Sequence, residues 1–317
     1  MIAERAGQGG LTVERMCALS GVSRAGFYRH WEASAPRQAD TALRDALQQV
    51  ALEKRFYGYR RVQHELRQRG HWVNAKRVLR LMREDNLLCL RTRRFVPPTT
   101  DSRHGWRIWP NLARGLTTQT INQLWVADIT YVRLREEFVY VAVVLDAHSR
   151  RVIGWALARH LGASLAVEAL RMALTERQPP PGFVHHSDRG IQYACADYLT
   201  WLTDAGGQPS MSRVGNPYDN AKAEAFMKTL KQEQVYGHDW RDLETLRPDL
   251  ATFFQITYNH ERLHSALGYQ TPAAFEVQLA GYHTGASTSR SGARGLTAPS
   301  PHTPVPRLQS SQHNICP

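Results

Sequence analysis

Cysteine is scarce in this chain. Four are present in 317 residues (Cys17, Cys89, Cys195 and Cys316), scattered and with no C-x-x-C pair. That spacing argues against a disulfide framework and against a structural zinc site, and it fits a reducing cytoplasm. Long apolar runs are missing too. The longest, FVYVAVVL at 138–145, falls far short of the about 20 residues a membrane-spanning helix needs. The N-terminal MIAERAGQGG has no apolar core of a signal peptide. There is no nucleotide P-loop, no G-x-S-x-G elbow and no internal repeat. The expectation is a soluble, intracellular protein of about two domains, with no membrane partner.

What the chain does have is positive charge, unevenly placed. The formal net charge is +12. Residues 1–115 hold 22 Lys and Arg against 10 Asp and Glu, whereas residues 116–317 hold 18 of each. The whole excess lies in the first third, and a segregated basic block of this kind points to a polyanionic partner, most often nucleic acid.

Residues 1–38 include LTVERMCALSGVSRAGFYRHWEAS (11–34), which reads as helix, short turn, helix. Gly21 supplies the turn, and Ser23 caps a second helix containing Arg24, Tyr28, Arg29 and His30. Residues 39–90 repeat the theme, with helices over about 40–54 and 59–69, a turn through GHWVN, and Asn74 capping AKRVLRLMRE. On that last helix Lys76, Arg80 and Arg83 form a basic stripe at i, i+4 and i+7. A recognition helix laid on DNA has this form, as does a helical bundle with a solvated basic face. Charge segregation favours the DNA reading. Residues 91–122 lack periodicity and read as a basic linker able to follow a phosphate backbone.

Three strand-like runs follow, at 124–134, 138–147 and 151–159. Their β-branched and aromatic content and short gaps suggest an antiparallel meander. The pattern then gives helix 163–177, strand 183–187, helix 194–205, strand 208–212 and helix 217–235, with a further helix over about 242–261. Three strands followed by α-β-α-β-α is the order of an RNase H-like domain, expected over 123–280. The predicted fold class is therefore α/β. It comprises an RNase H-like catalytic core, a mixed five-stranded sheet with flanking helices, preceded by an all-α helix-turn-helix-like DNA-binding region. Residues 281–317, rich in Ser, Pro and Gly, are expected to be a disordered tail.

Three carboxylates stand out within the α/β region. Asp128 lies mid-strand in VADIT, where a buried charge without a partner costs several kcal/mol, so it needs a salt bridge or a metal. Asp188 ends the fourth strand, at the sheet edge where ligands bind in open α/β folds. Glu224 sits on the helix after the fifth strand, with thirty-five residues between it and Asp188. Asn216 can cap that helix, with Pro217 in its first turn. Glu224, Lys228 and Lys231 then share one stripe. This is either an exposed Glu–Lys pairing worth a few tenths of a kcal/mol or one edge of a phosphodiester site. An oxygen-only set suits Mg²⁺ or Mn²⁺, and two such ions activate an attacking oxygen and stabilise the leaving one. The lysines would then hold flanking phosphates. Asp146 reads as a turn residue bonded to HSR. Asp219 and Asn220 need only a dipole or cap role. His185 and His186 lack the third soft ligand that zinc requires.

WVADITYV, LDAHSRRVIGW, HHSDRGIQY, SMSRVGNPYDNAKAEAFMKTLKQE and YNHERLHSALGYQTPAAF, in this order, resemble the successive motifs of DDE transposases. The similarity, over about residues 11–276, is to the OrfB-type proteins of the bacterial insertion-sequence-three family, relatives of retroviral integrases. It implies Asp128, Asp188 and Glu224 as a catalytic triad holding two Mg²⁺ ions, with Mn²⁺ able to substitute. Lys231 matches the family's basic contact to transposon-end DNA. The implied reaction cuts one strand at the element's end and leaves a 3′-hydroxyl that attacks another phosphodiester, with no covalent protein–DNA intermediate. Implied partners are transposon ends and target DNA, an upstream-frame transposase protein and further copies of the chain on DNA, in a bacterial, nucleoid-associated setting. The chain lacks the His/Cys zinc domain of retroviral integrases and shows no long heptad repeat, which leaves room for this to be the downstream part of a frameshift fusion. A DNA-binding regulator with an inactive core is the alternative. A plain RNase H-like nuclease would leave the two helix-turn-helix-like units unexplained.

Overall fold

The meander expected over 124–159 forms three antiparallel strands: β1 (Leu124–Arg133), β2 (Phe138–Asp146) and β3 (Val152–Ala158). These come from a computed structural model that describes residues 12–25, 40–89, 107–213 and 219–288, with side chains as far as Gly281. Two parallel strands, β4 (Val184–Ser187) and β5 (Gln208–Met211), complete a five-stranded sheet of order β3-β2-β1-β4-β5. β1 is the central strand, antiparallel to β2 (Asp128 opposite Val143) and parallel to β4 (Val126 opposite His186). This is the RNase H-like arrangement. Three hairpin-linked strands form one half, and parallel strands joined through helices form the other.

Strand alternation sends the residues of β1 to two separate cores. Trp125 and Ala127 pack with Ala142, Val144 and Ile153 under α5 (Ala163–Arg177), α6 (Ile191–Ala194) and α7 (Ala196–Asp204). Gly154 lets α5 come close, since a Cβ there would lie 2.2 Å from the Ala169 carbonyl oxygen. Leu124, Val126 and Val132 face the other way. They pack with Val141 and Val143 against α8 (Ala221–Leu230) and α9 (Leu243–Thr252). Helix α8 continues as a π-turn over Lys231–Val235, and α9 continues as π-helix through Phe253–Glu261.

Among the described residues before the sheet are the helices α1 (Val13–Leu19), α2 (Thr41–Glu53), α3 (Tyr59–Gln68) and α4 (Ala75–Glu84). The α3–α4 turn works as its residues suggest. Gly70 adopts φ +87°, the His71 N–H bonds the Leu66 carbonyl, and the Asn74 side chain accepts from the Arg77 N–H at 2.8 Å. Val50, Val62, Leu66, Val78 and Leu81 form a third core, and Leu263 from the far end of the chain joins it. The Tyr57 hydroxyl accepts from the Leu263 N–H (3.0 Å) and donates to the Glu261 carbonyl (3.3 Å), while Lys54 pairs with Glu261 at 2.9 Å. In the 11–34 segment Gly21 has φ +66° and Arg24 and Ala25 are helical, but Tyr28, Arg29 and His30 lie outside the described residues.

Three differences from the sequence reading have clear causes. Residues 107–122 are docked on the sheet: Trp109 packs against the core under α5, and the Leu112 N–H donates to Ser210 Oγ at 2.8 Å. Helix α8 begins at Ala221 behind Asn220; Asn216 and Pro217 lie outside the described residues. The final helix, α10 (Pro272–Thr288), runs past residue 281, because Pro272 suits a first helical turn and no further proline interrupts it before Thr288. By contacts the chain divides into two units, Met1–Phe275 and Glu276–Pro317, and the site lies wholly in the first. Among the described residues no helix is long and apolar enough to cross a membrane.

Candidate active site

The parallel register sets Val126 opposite His186, and Asp128 and Asp188 each follow two residues further along their chains, Asp188 just past the end of β4. Helix α8 supplies the third carboxylate. It buries Ala223, Phe226, Met227 and Leu230 against the sheet. Its start is pinned by Asn220, whose side-chain amide donates to the Ala127 carbonyl at 3.0 Å, next to Asp128. Glu224 follows one turn later, its N–H bonded to the Asn220 carbonyl.

Electrostatics tie the three together. The Asp128 carboxyl accepts the Ile129 N–H (2.8 Å) and is pushed up to about 8, first by burial, then by the charge of Asp188 and also by Glu224. Partial desolvation also raises Glu224, although the residue as a whole is exposed. Asp188 accepts the Gly190 N–H at 2.9 Å. Burial and the nearby Asp188 charge push the Tyr193 phenol well above its usual range; its hydroxyl is buried and has no protein partner. Tyr193, Gly190, Thr130 and Asp188 line one small cleft.

No three His, Cys, Asp or Glu side chains among the described residues lie close enough to share one ion as they stand. The donor chemistry nonetheless fits a divalent cation. It is all oxygen, and the central carboxylate is held in surroundings that disfavour its ionised form. A cation beside it reverses that penalty.

Lys231 departs from the expected exposed stripe. Glu224 and Lys228 are exposed, but Lys231 is only 8% exposed, with its ammonium 4.3 Å from the centre of the Tyr131 ring. Burial lowers its affinity for a proton, and the charge of Asp128 offsets this in part. It stands where α8 gives way to the π-turn, marked by the Tyr236 N–H bond to the Lys231 carbonyl. Lys231 therefore lies near Asp128 and is more deeply buried than Glu224 and Lys228.

The basic candidates in the helices are separate from this cleft. Lys76 and Arg83 are exposed on α4 and have no ion-pair partner among the described residues. Arg80 pairs with Asp40 (3.5 Å) and Glu84 (3.4 Å), and Arg77 also binds Asp40, so part of the stripe's charge is neutralised. Arg24 is exposed, 4.0 Å from Glu14. The lesser candidates also have defined roles. Asp146 accepts from the N–H groups of Asn122, His148 and Ser149, as a turn residue does. Asp219 binds Arg213 in a fork, not the helix terminus. His185 bonds the Tyr198 hydroxyl, and His186 bonds Ser210 and Ser212. Sequence reasoning missed Asn220 and Tyr193 as site residues, although both lie inside the quoted motifs.

Comparison with known proteins agrees with this layout. An integrase core domain family matches residues 119–217, a second integrase core domain family matches 205–272, and an HTH-like domain family matches 38–95. The uncharacterized 31 kDa protein of insertion element IS600 from Shigella sonnei is 38% identical over 273 residues, covering 84% of this chain and 98% of that protein. Transposase InsF for insertion sequence IS3A from Escherichia coli K12 is 34% identical over 275 residues, covering 85% and 95%. Among solved structures, the catalytic core domain of BIV integrase is 19% identical, with a TM-score of 0.38, covering 52% of this chain and 99% of that one. The magnesium complex of the HTLV-2 integrase core is 13% identical at the same TM-score, covering 50% and 99%. The chain belongs to the IS3 family of insertion-sequence transposases.

Proposed function

We propose that this transposase cleaves one DNA strand at each end of its element and joins the freed 3′-hydroxyl to target DNA, with Asp128, Asp188 and Glu224 as the catalytic residues. The observation that supports this reading is the electrostatic proximity of three carboxylates, one on β1, one just after β4 and one on α8: Asp128 is raised by burial, then by Asp188 and also by Glu224. These residues would hold Mg²⁺, or Mn²⁺ in its place, as two ions; when bound, the ions neutralise the scissile phosphate and activate the attacking oxygen. In the first step water attacks the phosphodiester and the terminal 3′-oxygen leaves as a hydroxyl. In the second, that hydroxyl attacks a target phosphodiester, forming a new P–O bond as the target's own 3′-oxygen departs.

The chain's other residues position the DNA. Lys231, beside Asp128, meets a phosphate at the reacting end, and Lys228 meets one further out. Tyr193 offers its hydroxyl inside the cleft. Lys76, Arg80, Arg83 and Arg24 bring positive charge to the duplex and carry the salt-dependent part of binding. The protein works in the bacterial cytoplasm on nucleoid DNA, as an oligomer assembled on the element's ends and together with an upstream-frame protein.

Incubating the full chain with a labelled transposon-end duplex and Mg²⁺ tests the reading. Strand cleavage leaving a 3′-hydroxyl is expected. A folded chain that binds the duplex and never cuts it, alone or with the upstream-frame protein, would favour the regulator. A readout independent of activity is thermal stability at neutral pH. Mn²⁺ is expected to raise Tm in the wild type and far less in Asp128→Asn.

A further inference from the structure

Helix α8 has a second flank. Glu224 and Lys228 occupy one shoulder of its buried stripe, while Lys222 and Thr229 occupy the other, above a cleft lined by Arg61, Asp146, Arg150, Lys222, Arg262 and His264. We propose that this cleft is a phosphate-binding pocket that takes one backbone phosphate of the DNA. The phosphate chemistry stands on the pocket alone, whereas DNA as its source rests on the function proposed above.

The cleft gathers more positive charge than the protein neutralises. Arg61, Arg150 and Lys222 are half-buried, and none has an ion-pair partner among the described residues. Two acids stand nearby, and both are engaged. Asp146 is spent on the Asn122, His148 and Ser149 donors, and Glu233 binds Arg262 in a fork at 2.7 and 2.8 Å. Half-buried cations that outnumber the acids around them are unfavourable: Lys222 is depressed by burial and then by Arg150, and the charge of Asp146 offsets this only in part. An anion relieves this.

A second observation points to a ligand. His264 is 8% exposed, and its Nε2 is buried without a hydrogen-bond partner. Burial and then the charges of Arg262, Arg61 and Arg150 hold the ring neutral, down to about 3. As the Nε2–H tautomer it offers a donor that a phosphate oxygen can accept. Arginine forks suit a tetrahedral oxyanion well.

The pocket also has a structural logic. Arg61 comes from α3 of the helical unit, Arg150 from the β2–β3 turn at φ +64°, Lys222 from α8, and Arg262 and His264 from the segment after the π-helix. Four separate elements meet there. A phosphate seated among them touches both the helical unit and the catalytic core.

The test uses the full chain carrying Asp128→Asn, so that no strand is cut and the result does not depend on catalysis. Duplex binding is titrated against salt for Lys222→Gln, Arg150→Gln and the pair, with Arg171→Gln, on the opposite side of the sheet, as the control for bulk charge. Loss of one phosphate contact lowers the slope of log K against log salt by about 0.9. That drop is expected for the pocket variants and not for the control. In parallel, orthophosphate is expected to raise Tm above chloride of equal ionic strength, and the Lys222→Gln variant is expected to lose this shift. Circular dichroism checks folding, and Lys222→Gln, half-exposed on the helix surface, keeps the test open if Arg150→Gln does not fold. An orthophosphate shift that depends on Lys222, with unchanged DNA slopes, would leave a small-anion pocket and overturn DNA as its occupant. Unchanged slopes and no orthophosphate shift would overturn the pocket itself.

Discussion

Two aspartates on paired strands show how differently one fold can treat the same side chain. Asp146, at the end of β2, is fully buried and accepts four hydrogen bonds, three from backbone N–H groups and one from the Ser149 hydroxyl. Asp128, inside β1, accepts one from its neighbour Ile129 and faces two other carboxylates. The first carboxylate holds a corner together. The second is kept in an environment that its own protein leaves incomplete. Asp146 is both the more buried acid and the better supplied with donors, whereas Asp128 is part-buried and short of them.

The sharpest way to break this comparison is to neutralise each acid in turn. Asp128→Asn is expected to abolish strand cleavage by orders of magnitude, as are Asp188→Asn and Glu224→Gln, with little further loss in double variants because the three act as one unit. Without added metal, Asp128→Asn is also expected to raise Tm at pH 8, since it removes a charge that folding disfavours. Near-normal cleavage by a folded Glu224→Gln protein would remove that residue from the triad. Asp146→Asn is expected to move stability the other way, by about 1–3 kcal/mol, because an amide cannot accept from all the donors converging there. Chemical denaturation measures it, and a neutral result would erase the contrast.

Titration gives a smaller, graded effect. His185 and His186 are held neutral by burial, down to about 3 and about 4. As the pH falls below about 6.5 the unfolded chain takes up their protons first. The stability they carry is complete above that value and is lost progressively towards pH 4. Replacing His186 with Gln should flatten the acid side of the Tm profile; an unchanged profile would move the acid sensitivity elsewhere. Smallest of all, Lys76→Ala and Arg83→Ala should each lower the salt slope of DNA binding by about 1 without altering Tm. Equal slopes would return α4 to a solvated face.

The sheet was legible, and Asp128, Asp188 and Glu224 could be picked out as candidates, because the signals are local. A charge in a β-branched strand, an acid at a strand's end and a helix with a clear apolar face need no knowledge of distant residues. What stayed hidden depended on partners far away in sequence. The Glu224–Lys228–Lys231 stripe reads in sequence either as a solvated face or as the edge of a phosphodiester site, and the burial of Lys231 against the Tyr131 ring, one hundred residues earlier, is beyond the reach of that spacing. In sequence Asn220 needs only a dipole or cap role, yet its amide reaches Ala127 on β1. Asp40, at the start of another helix, offsets part of the charge of Arg80 through an ion pair. The docking of residues 107–122 depends on Ser210, nearly a hundred residues on. Periodicity reports which face a residue is on, and says nothing of what waits there.

The clasp of Tyr57 and Lys54 on Glu261 and Leu263 has a consequence for where the enzyme cuts. With the helical unit seated on the far end of the catalytic core, the span from α4 to the carboxylates is a fixed gauge and not the reach of a slack tether. On the proposed reading, the protein measures its substrate as a calliper does. The bond that breaks is set by a length of duplex counted from the recognised bases. Adding base pairs between the recognised sequence and the element's tip should shift the cut by the same number of nucleotides.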